Sequence, residues 1–423
     1  MTVPRYENLF SARANKMKAS VIRELLKLTQ KPDIISFAGG LPNPLAFPVE
    51  KVENIVCDLL KQESTKALQY GSTEGVPELR EQISLRLKKI WNIDGDAENV
   101  LITTGSQQGL DLLGRLFIGS QSTIIMEAPT YLGALNAFNV YDPQIISIPL
   151  DDNGIQVDKL EEYLKNAIKH NIFVKFLYTV PTFHNPAGVC MSHSRRKKII
   201  DLAHEFDLVV VEDDPYGELR YTGDALPPLK SLDDGDRVIY LGTFSKTLVP
   251  GFRIAWTFGP KSVIDKMVIA KQAVDLCTPP FTQYVAKEYL KRGYIDQHLN
   301  TIISLYGKKQ RIMAKSMDEY MPKEYIRWPV PEGGMFLWAT LNDNINTTEM
   351  FNDAIEQNVA YVIGSAFFAD GSGTNCMRLN FTHPGDDKIV EGVKRLSVVI
   401  EEWGRTKAKD LEVPAEQEVI TGV

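Results

Sequence analysis

The sequence predicts an α/β fold: a large domain built on a mostly parallel sheet, followed by a smaller α+β domain. Between about residues 99 and 260, short runs rich in β-branched residues alternate with segments of helical spacing. The runs show little polar–apolar alternation, as strands buried on both faces do. After about residue 300 the pattern changes to paired strands around a glycine turn and two amphipathic helices. The 423 residues suit two or three domains. The expected divisions are an N-terminal segment, 1–48, joining the small domain, a large domain, 49–295, and a small domain, 296–423.

In chain order, residues 20–28 have apolar positions at helical spacing with Ser20 as an N-cap, and Lys31-Pro32-Asp33 stops them. Ile34-Ile35-Ser36 is a short strand running into Gly39-Gly40, where missing side chains let backbone approach a ligand, or simply make a turn. Residues 49–69 read as a helix. Tyr70 lies in the glycine-flanked loop that follows, a phenol free to donate or merely to pack, and Pro77-Glu78 opens the next helix. The buried strands are expected at 100–103, 123–126, 173–178, 208–211 and 238–241, with a helix at 194–203. In the last third, 325–338 reads as two strands about Gly333-Gly334, 347–357 as a helix, 360–363 and 376–381 as strands, and 386–403 as the final helix. The tail from 413 is polar and expected to fray.

Ligands of such a sheet bind beyond the carboxyl ends of its strands, and the reactive residues follow those ends. Thr104-Gly105-Ser106-Gln107 is a strand, a glycine turn and a helix start, which suits a phosphate, although many such turns look alike. Pro129-Thr130-Tyr131 offers a ring to lie over a flat ligand or to pack in the core. Asn185, held extended before Pro186, offers an amide; its neighbour His184 receives no role. Asp213 ends a buried strand and needs a positive partner, with Tyr216 three residues on. Magnesium would also suit the Asp213-Asp214 pair, but no Walker-type lysine loop accompanies it. Finally Thr243-Phe244-Ser245-Lys246 follows a buried run, with Arg253 downstream. Desolvation favours the neutral amine of a lysine, which condenses with carbonyls, and the hydroxyls and Arg253 suit a phosphate. A carbonyl compound that carries a phosphate and condenses with lysine describes pyridoxal 5′-phosphate (PLP).

The order of these motifs, with Asn185-Pro186-Ala187-Gly188, Asp213-Asp214-Pro215-Tyr216, Ser245-Lys246 through Arg253, and a distal Arg378, resembles the fold-type I PLP enzymes, specifically class I/II aminotransferases, over about residues 20–403. The resemblance implies that Lys246 is the Schiff-base lysine and general base. It implies that Asp213 pairs with the pyridine nitrogen, that Asn185 and Tyr216 bond the phenolate oxygen, and that Tyr131 stacks on the ring. Ser106, Gln107, Thr243, Ser245 and Arg253 would hold the phosphate, with Tyr70 supplied by the second subunit of a homodimer whose sites are shared. Arg378 would clamp the substrate α-carboxylate, beside Gly40 and Asn185. Within the family, the segment from Ser20 through Pro42 resembles 2-aminoadipate (LysN-type), kynurenine and aromatic aminotransferases, with Arg23 either meeting a distal carboxylate or lying solvated on its helix. The implied reaction moves an amino group to a 2-oxo acid such as 2-oxoglutarate by a ping-pong course. The same scaffold also serves lyases, decarboxylases and the effector domains of MocR-type regulators.

Composition narrows the classes. A net charge of −7 gives no electrostatic reason to bind nucleic acid. Cys57, Cys190, Cys277 and Cys376 are scattered, with no CxxC pair, so neither zinc nor a disulfide framework is indicated and reduced thiols in the cytoplasm are expected. No stretch approaches the ~18 apolar residues of a membrane helix, and the first residues lack the apolar core of a signal peptide. Residues 278–281, Thr-Pro-Pro-Phe, receive no interpretation.

Overall fold

The computed structural model describes residues 6–17 and 33–412. The helix expected at 20–28, including Arg23, lies outside the described residues. The large sheet has eight strands: β1 Val100–Thr104, β2 Thr123–Ala128, β3 Gln144–Asp151, β4 Gly154–Ile155, β5 Val174–Thr179, β6 Val209–Asp214, β7 Val238–Thr243 and β8 Ile254–Phe258. Their spatial order is β1-β8-β7-β6-β5-β2-β3-β4. Pairs from β7 through β3 are parallel, whereas β8 runs antiparallel to both β1 and β7, and β4 antiparallel to β3.

Two strands escape the sequence pattern for physical reasons. β3 carries a partly exposed face and a proline, so it does not read as a buried run. β8 follows a Pro-Gly turn and one arginine, and the link from β7 holds only the single 3-10 turn Pro250–Phe252, too short for a parallel crossover, so β8 returns antiparallel. That reversal matters for the site. The start of β8, and with it Arg253, falls at the sheet edge where the parallel strands end.

The five expected buried strands are present, and the helix Pro77–Trp91 begins at its proline with Glu78 in the first turn. The segment 49–69 is divided into Val49–Gln62 and Ser64–Ala67 by Glu63, whose backbone leaves the helical region. In the last third, β9 Ile326–Arg327, β10 Phe336–Leu341, β11 Val362–Ile363 and β12 Cys376–Asn380 form an antiparallel sheet in the order β9-β10-β12-β11. The single strand expected at 360–363 is two pieces: Val359–Ala360 pairs instead with Ile35–Ser36, and only Val362–Ile363 joins the small sheet. The final helix runs to Glu412, beyond the expected 403.

Ile34, Ile35, Phe37 and Ala38 are buried in one apolar cluster with residues of the small sheet and the final helix. The helix Tyr294–Tyr320 passes from one core to the other: Ile295, Leu299 and Ile302 pack in the large-domain core, Met313 and Met317 in the small one. The expected boundary at 295/296 therefore falls in the first turn of a continuous helix. Among the described residues no helix is long and apolar enough to cross a membrane.

Arg196, on the helix His193–Glu205, is 0 % exposed. Its guanidinium donates to the carbonyls of Pro181, Met191 and Pro227 and to Thr182 Oγ1 at 2.8–3.0 Å. It thereby ties down the loop that carries Asn185. Arg196→Ala is expected to leave the Met191 and Pro227 carbonyls without this donor, the Pro181 carbonyl keeping the Met191 N–H at 2.8 Å, and to lower stability by about 3 kcal/mol. Denaturant unfolding checks this: the midpoint should fall with an unchanged slope.

Candidate active site

A cavity of about 350 Å³ lies at the carboxyl edge of the large sheet, within the size range of small-molecule sites. Ser106 follows β1, Tyr131 follows β2, Asn185 follows β5, Asp213 lies at the end of β6 with Tyr216 just beyond it, Thr243 ends β7 with Ser245 and Lys246 just beyond it, and Arg253 precedes β8. All of these line the cavity, with Gln107, Gly40 and Arg378. Tyr70 does not: it stands 80 % exposed on the surface. Arg23 lies outside the described residues.

β6 ends in Glu212, Asp213 and Asp214, and strand alternation sends the middle one to the opposite face from its neighbours. Glu212 accepts the backbone N–H groups of Leu229 and Lys230, both at 2.8 Å. Asp214 accepts Gly217 N–H and Tyr240 O–H, both at 2.8 Å. Asp213, 2 % exposed, accepts Tyr178 O–H on Oδ2 at 2.8 Å, and its Oδ1 has no partner. Burial, with the nearby Asp214 charge adding to it, pushes the Asp213 carboxyl up to about 7.

Asn185 joins two elements. Its Nδ2 donates to Tyr216 Oη at 3.3 Å, and its Oδ1 accepts from Arg378 Nη1 at 2.9 Å. Arg378, on β12 and 2 % exposed, also donates to the Ala38 carbonyl at 3.0 Å, and its Nε is unpartnered. The guanidinium lies over the Phe336 ring, 4.2 Å from its centroid, and 5.1 Å from that of Phe367. With no carboxylate against it, burial lowers it to about 10. Burial also raises the phenols of Tyr131 and Tyr216, so both remain donors.

Lys246 donates to the Gly40 carbonyl at 3.0 Å. Burial, and then the positive charges of Arg378 and Arg253, lower its ammonium to about 8. About a tenth of the amine is then neutral at pH 7, far more than for an ordinary lysine, and the neutral form is the nucleophile. At the other end of the cavity, Gly105 adopts φ +77°, and a Cβ there would lie 2.1 Å from Arg253 Nη2, so only glycine lets the guanidinium sit against this turn. Ser106 Oγ, at the first turn of the helix Ser106–Phe117, is buried and unpartnered. Thr243 Oγ1 donates to Ser245 Oγ at 3.0 Å, Arg253 Nη1 lies 3.5 Å from the same oxygen, and Gln107 Nε2 donates to the Gly133 carbonyl at 2.7 Å.

Three unsatisfied demands converge on this cavity: an acceptor wanting a cation, an amine wanting a carbonyl, and hydroxyl, guanidinium and helix N–H groups wanting an anion. Pyridoxal phosphate carries one group for each, so the residues present fit it. Tyr178 and Phe336 were not foreseen as site residues. Tyr178 reads as one more apolar strand position, and its bond to Asp213 exists only because β5 lies beside β6. Phe336 comes from the small sheet, across a sequence gap that no local pattern spans.

The sequence matches the family Aminotransferase class I and II over residues 42–396. It is 49 % identical over 397 residues to aromatic-amino-acid aminotransferase 1 of Thermococcus litoralis, covering 94 % of this chain and 95 % of that one. The structure superposes on kynurenine aminotransferase of Pyrococcus horikoshii, solved with PMP, with a TM-score of 0.91 at 50 % identity, covering 94 % and 98 % of the two chains. It also superposes on LysN, the α-aminoadipate aminotransferase of Thermus thermophilus, complexed with N-(5′-phosphopyridoxyl)-L-leucine. There the TM-score is 0.88 at 38 % identity, covering 95 % and 100 %. A cavity built for a carbonyl, a cation and a phosphate, on a chain with these relatives, places the protein in the class I and II aminotransferases, as a pyridoxal phosphate-dependent enzyme of fold-type I.

Proposed function

We propose that this aminotransferase moves the amino group of large amino acids, aromatic or of the 2-aminoadipate type, to 2-oxoglutarate in a ping-pong course. The observation that carries the reading is the convergence of Lys246, the open Asp213 oxygen and the carboxylate-free Arg378 on one cavity. When bound, pyridoxal phosphate supplies an electrophilic carbonyl and a protonated ring that takes up electron density. Lys246 would hold that carbonyl carbon through Nζ, and the same amine, freed when a substrate amine takes its place, would serve as the base that takes up and hands back the substrate α-proton. Asp213 Oδ1 keeps the ring nitrogen protonated. Asn185 Nδ2 and Tyr216 Oη donate to the phenolate oxygen, and Tyr131 covers the ring. Ser106, Gln107, Thr243, Ser245 and Arg253 hold the phosphate. Arg378, pinned by Asn185 and Ala38, offers its remaining donors to the substrate α-carboxylate, next to Gly40.

The exposed phenol of Tyr70 supports a homodimer in which this residue completes the partner's phosphate site. Among the described residues the cavity is lined by three cations, Lys246, Arg253 and Arg378, each with a task of its own. Leu41, Pro42 and Phe336 leave the remainder apolar, which suits large apolar donors. A distal carboxylate would need Arg23.

A panel of aromatic amino acids, leucine and 2-aminoadipate with 2-oxoglutarate tests the reading. Formation of glutamate and the matching 2-oxo acid, with parallel initial-rate lines, is expected. Release of carbon dioxide or of an elimination product in place of amino transfer overturns it.

Asp213→Asn is expected to lower kcat by about 10³-fold, or ~4 kcal/mol of barrier, with PLP still bound through the phosphate site. Asp214→Asn faces Tyr240 and Gly217 rather than the cavity, and is expected to act chiefly on stability. Equal rate losses in the two variants, compared by single-turnover kinetics, would remove the assignment.

A further inference from the structure

Lys271, on the helix Lys261–Gln272, has a fully buried side chain and does not line the cavity. Its ammonium donates to Gln108 Oε1 at 2.8 Å and to the two oxygens of Asp275 at 2.7 and 2.8 Å. Gln108 Nε2 donates to Asp275 Oδ2 at 2.7 Å, and Gln108 Oε1 also accepts the backbone N–H of Thr104 at 2.8 Å. Thr104 Oγ1 lies 3.0 Å from Asp275 Oδ2 and 3.0 Å from Thr278 Oγ1. Thr278, part of the stretch that had no reading in the sequence, closes the cluster.

The chemistry of these groups dictates one arrangement. An ammonium only donates and a carboxylate only accepts. The Gln108 amide must therefore turn its carbonyl toward Lys271 and its NH₂ toward Asp275. In that orientation, and not in the flipped one, its carbonyl caps the N–H at the end of β1. The next residue is Gly105, at φ +77°, a conformation that glycine tolerates, with its N–H on the Thr103 carbonyl at 2.9 Å and its carbonyl accepting the Gln108 N–H at 3.1 Å. The turn depends on bonds to its flanks, and it delivers Ser106 Oγ, the first N–H groups of the helix Ser106–Phe117 and the surface on which Arg253 rests.

We propose that Lys271, paired with Asp275 and acting through Gln108, is a positioning residue for the phosphate-binding turn, controlling affinity for the cofactor's phosphate rather than for its ring or carbonyl. This rests on reading Ser106 through Arg253 as the phosphate site. The ordinary alternative is an i,i+4 ion pair that only closes the end of its own helix, whose loss would weaken all ligands alike or none.

The test titrates the full-length apoenzyme with PLP and with pyridoxal, followed by absorbance, and with inorganic phosphate, followed by calorimetry. Lys271→Met should raise the Kd for PLP and phosphate by about tenfold or more, the scale of one charge-assisted contact, with pyridoxal within about twofold of the parent. Asp275→Asn, at a partly exposed position, should shift the same ratio in the same direction, and it decides alone if Lys271→Met does not fold. Equal weakening of PLP and pyridoxal, or unchanged PLP affinity in a folded variant, overturns the proposal. Arg253→Ala separates the two readings. If it also fails to weaken PLP relative to pyridoxal, the phosphate site itself is misassigned and the proposal falls with it. If it does weaken PLP and the Lys271 and Asp275 variants do not, only the positioning role falls.

Discussion

Burying the Asp213 carboxylate with one oxygen held by Tyr178 and the other open to the cavity costs several kcal/mol unless a cation meets it. The remainder of the site is arranged around that open oxygen. Glu212 and Asp214 flank it in sequence, yet strand alternation turns them to the other face, where backbone N–H groups, the Tyr240 phenol and the Arg196 charge satisfy them. Only the middle carboxylate is left to choose its partner from the cavity. Burial, with the Asp214 charge adding to it, displaces its pKa upward to about 7. A ring N–H⁺ held against Oδ1 would restore the charge on both sides of the bond.

The cations are separated by the same logic. Arg378 reaches the cavity from the small sheet, and its bonds to Asn185 and Ala38 hold the two domains and the N-terminal segment against each other. Aromatic faces at Phe336 and Phe367 take the place of a carboxylate beneath it, leaving its charge available for a ligand. Arg253 is delivered to the opposite end because β8 returns antiparallel. Burial, and then these two positive charges, hold Lys246 at a lowered pKa, and in the proposed reading the separation of the three decides which end of a bound molecule carries the phosphate.

Much of this was legible in the chain. Glycine turns, Asn185-Pro186 and the run from Ser245 to Arg253 sit immediately after buried strands, and strand ends of a parallel sheet must converge on one edge. Position in the sequence therefore stood in for position in space. Contacts made across the sheet were not legible. Tyr178 bonds Asp213 by strand adjacency, Phe336 crosses from the other domain, and Lys271 meets Gln108 across two helices. In each case the residue type is ordinary for its local element, and only the tertiary arrangement gives it a task. The division of residues 360–363 between two sheets has the same origin, since an apolar run does not say which neighbour it will pair with.

The most direct test of the account is the site of attachment. Borohydride reduction of the PLP-loaded enzyme, followed by proteolysis and mass spectrometry, is expected to find the phosphopyridoxyl group on Lys246 at close to one per chain. Its appearance on another lysine, with Lys246 unmodified, would contradict the account.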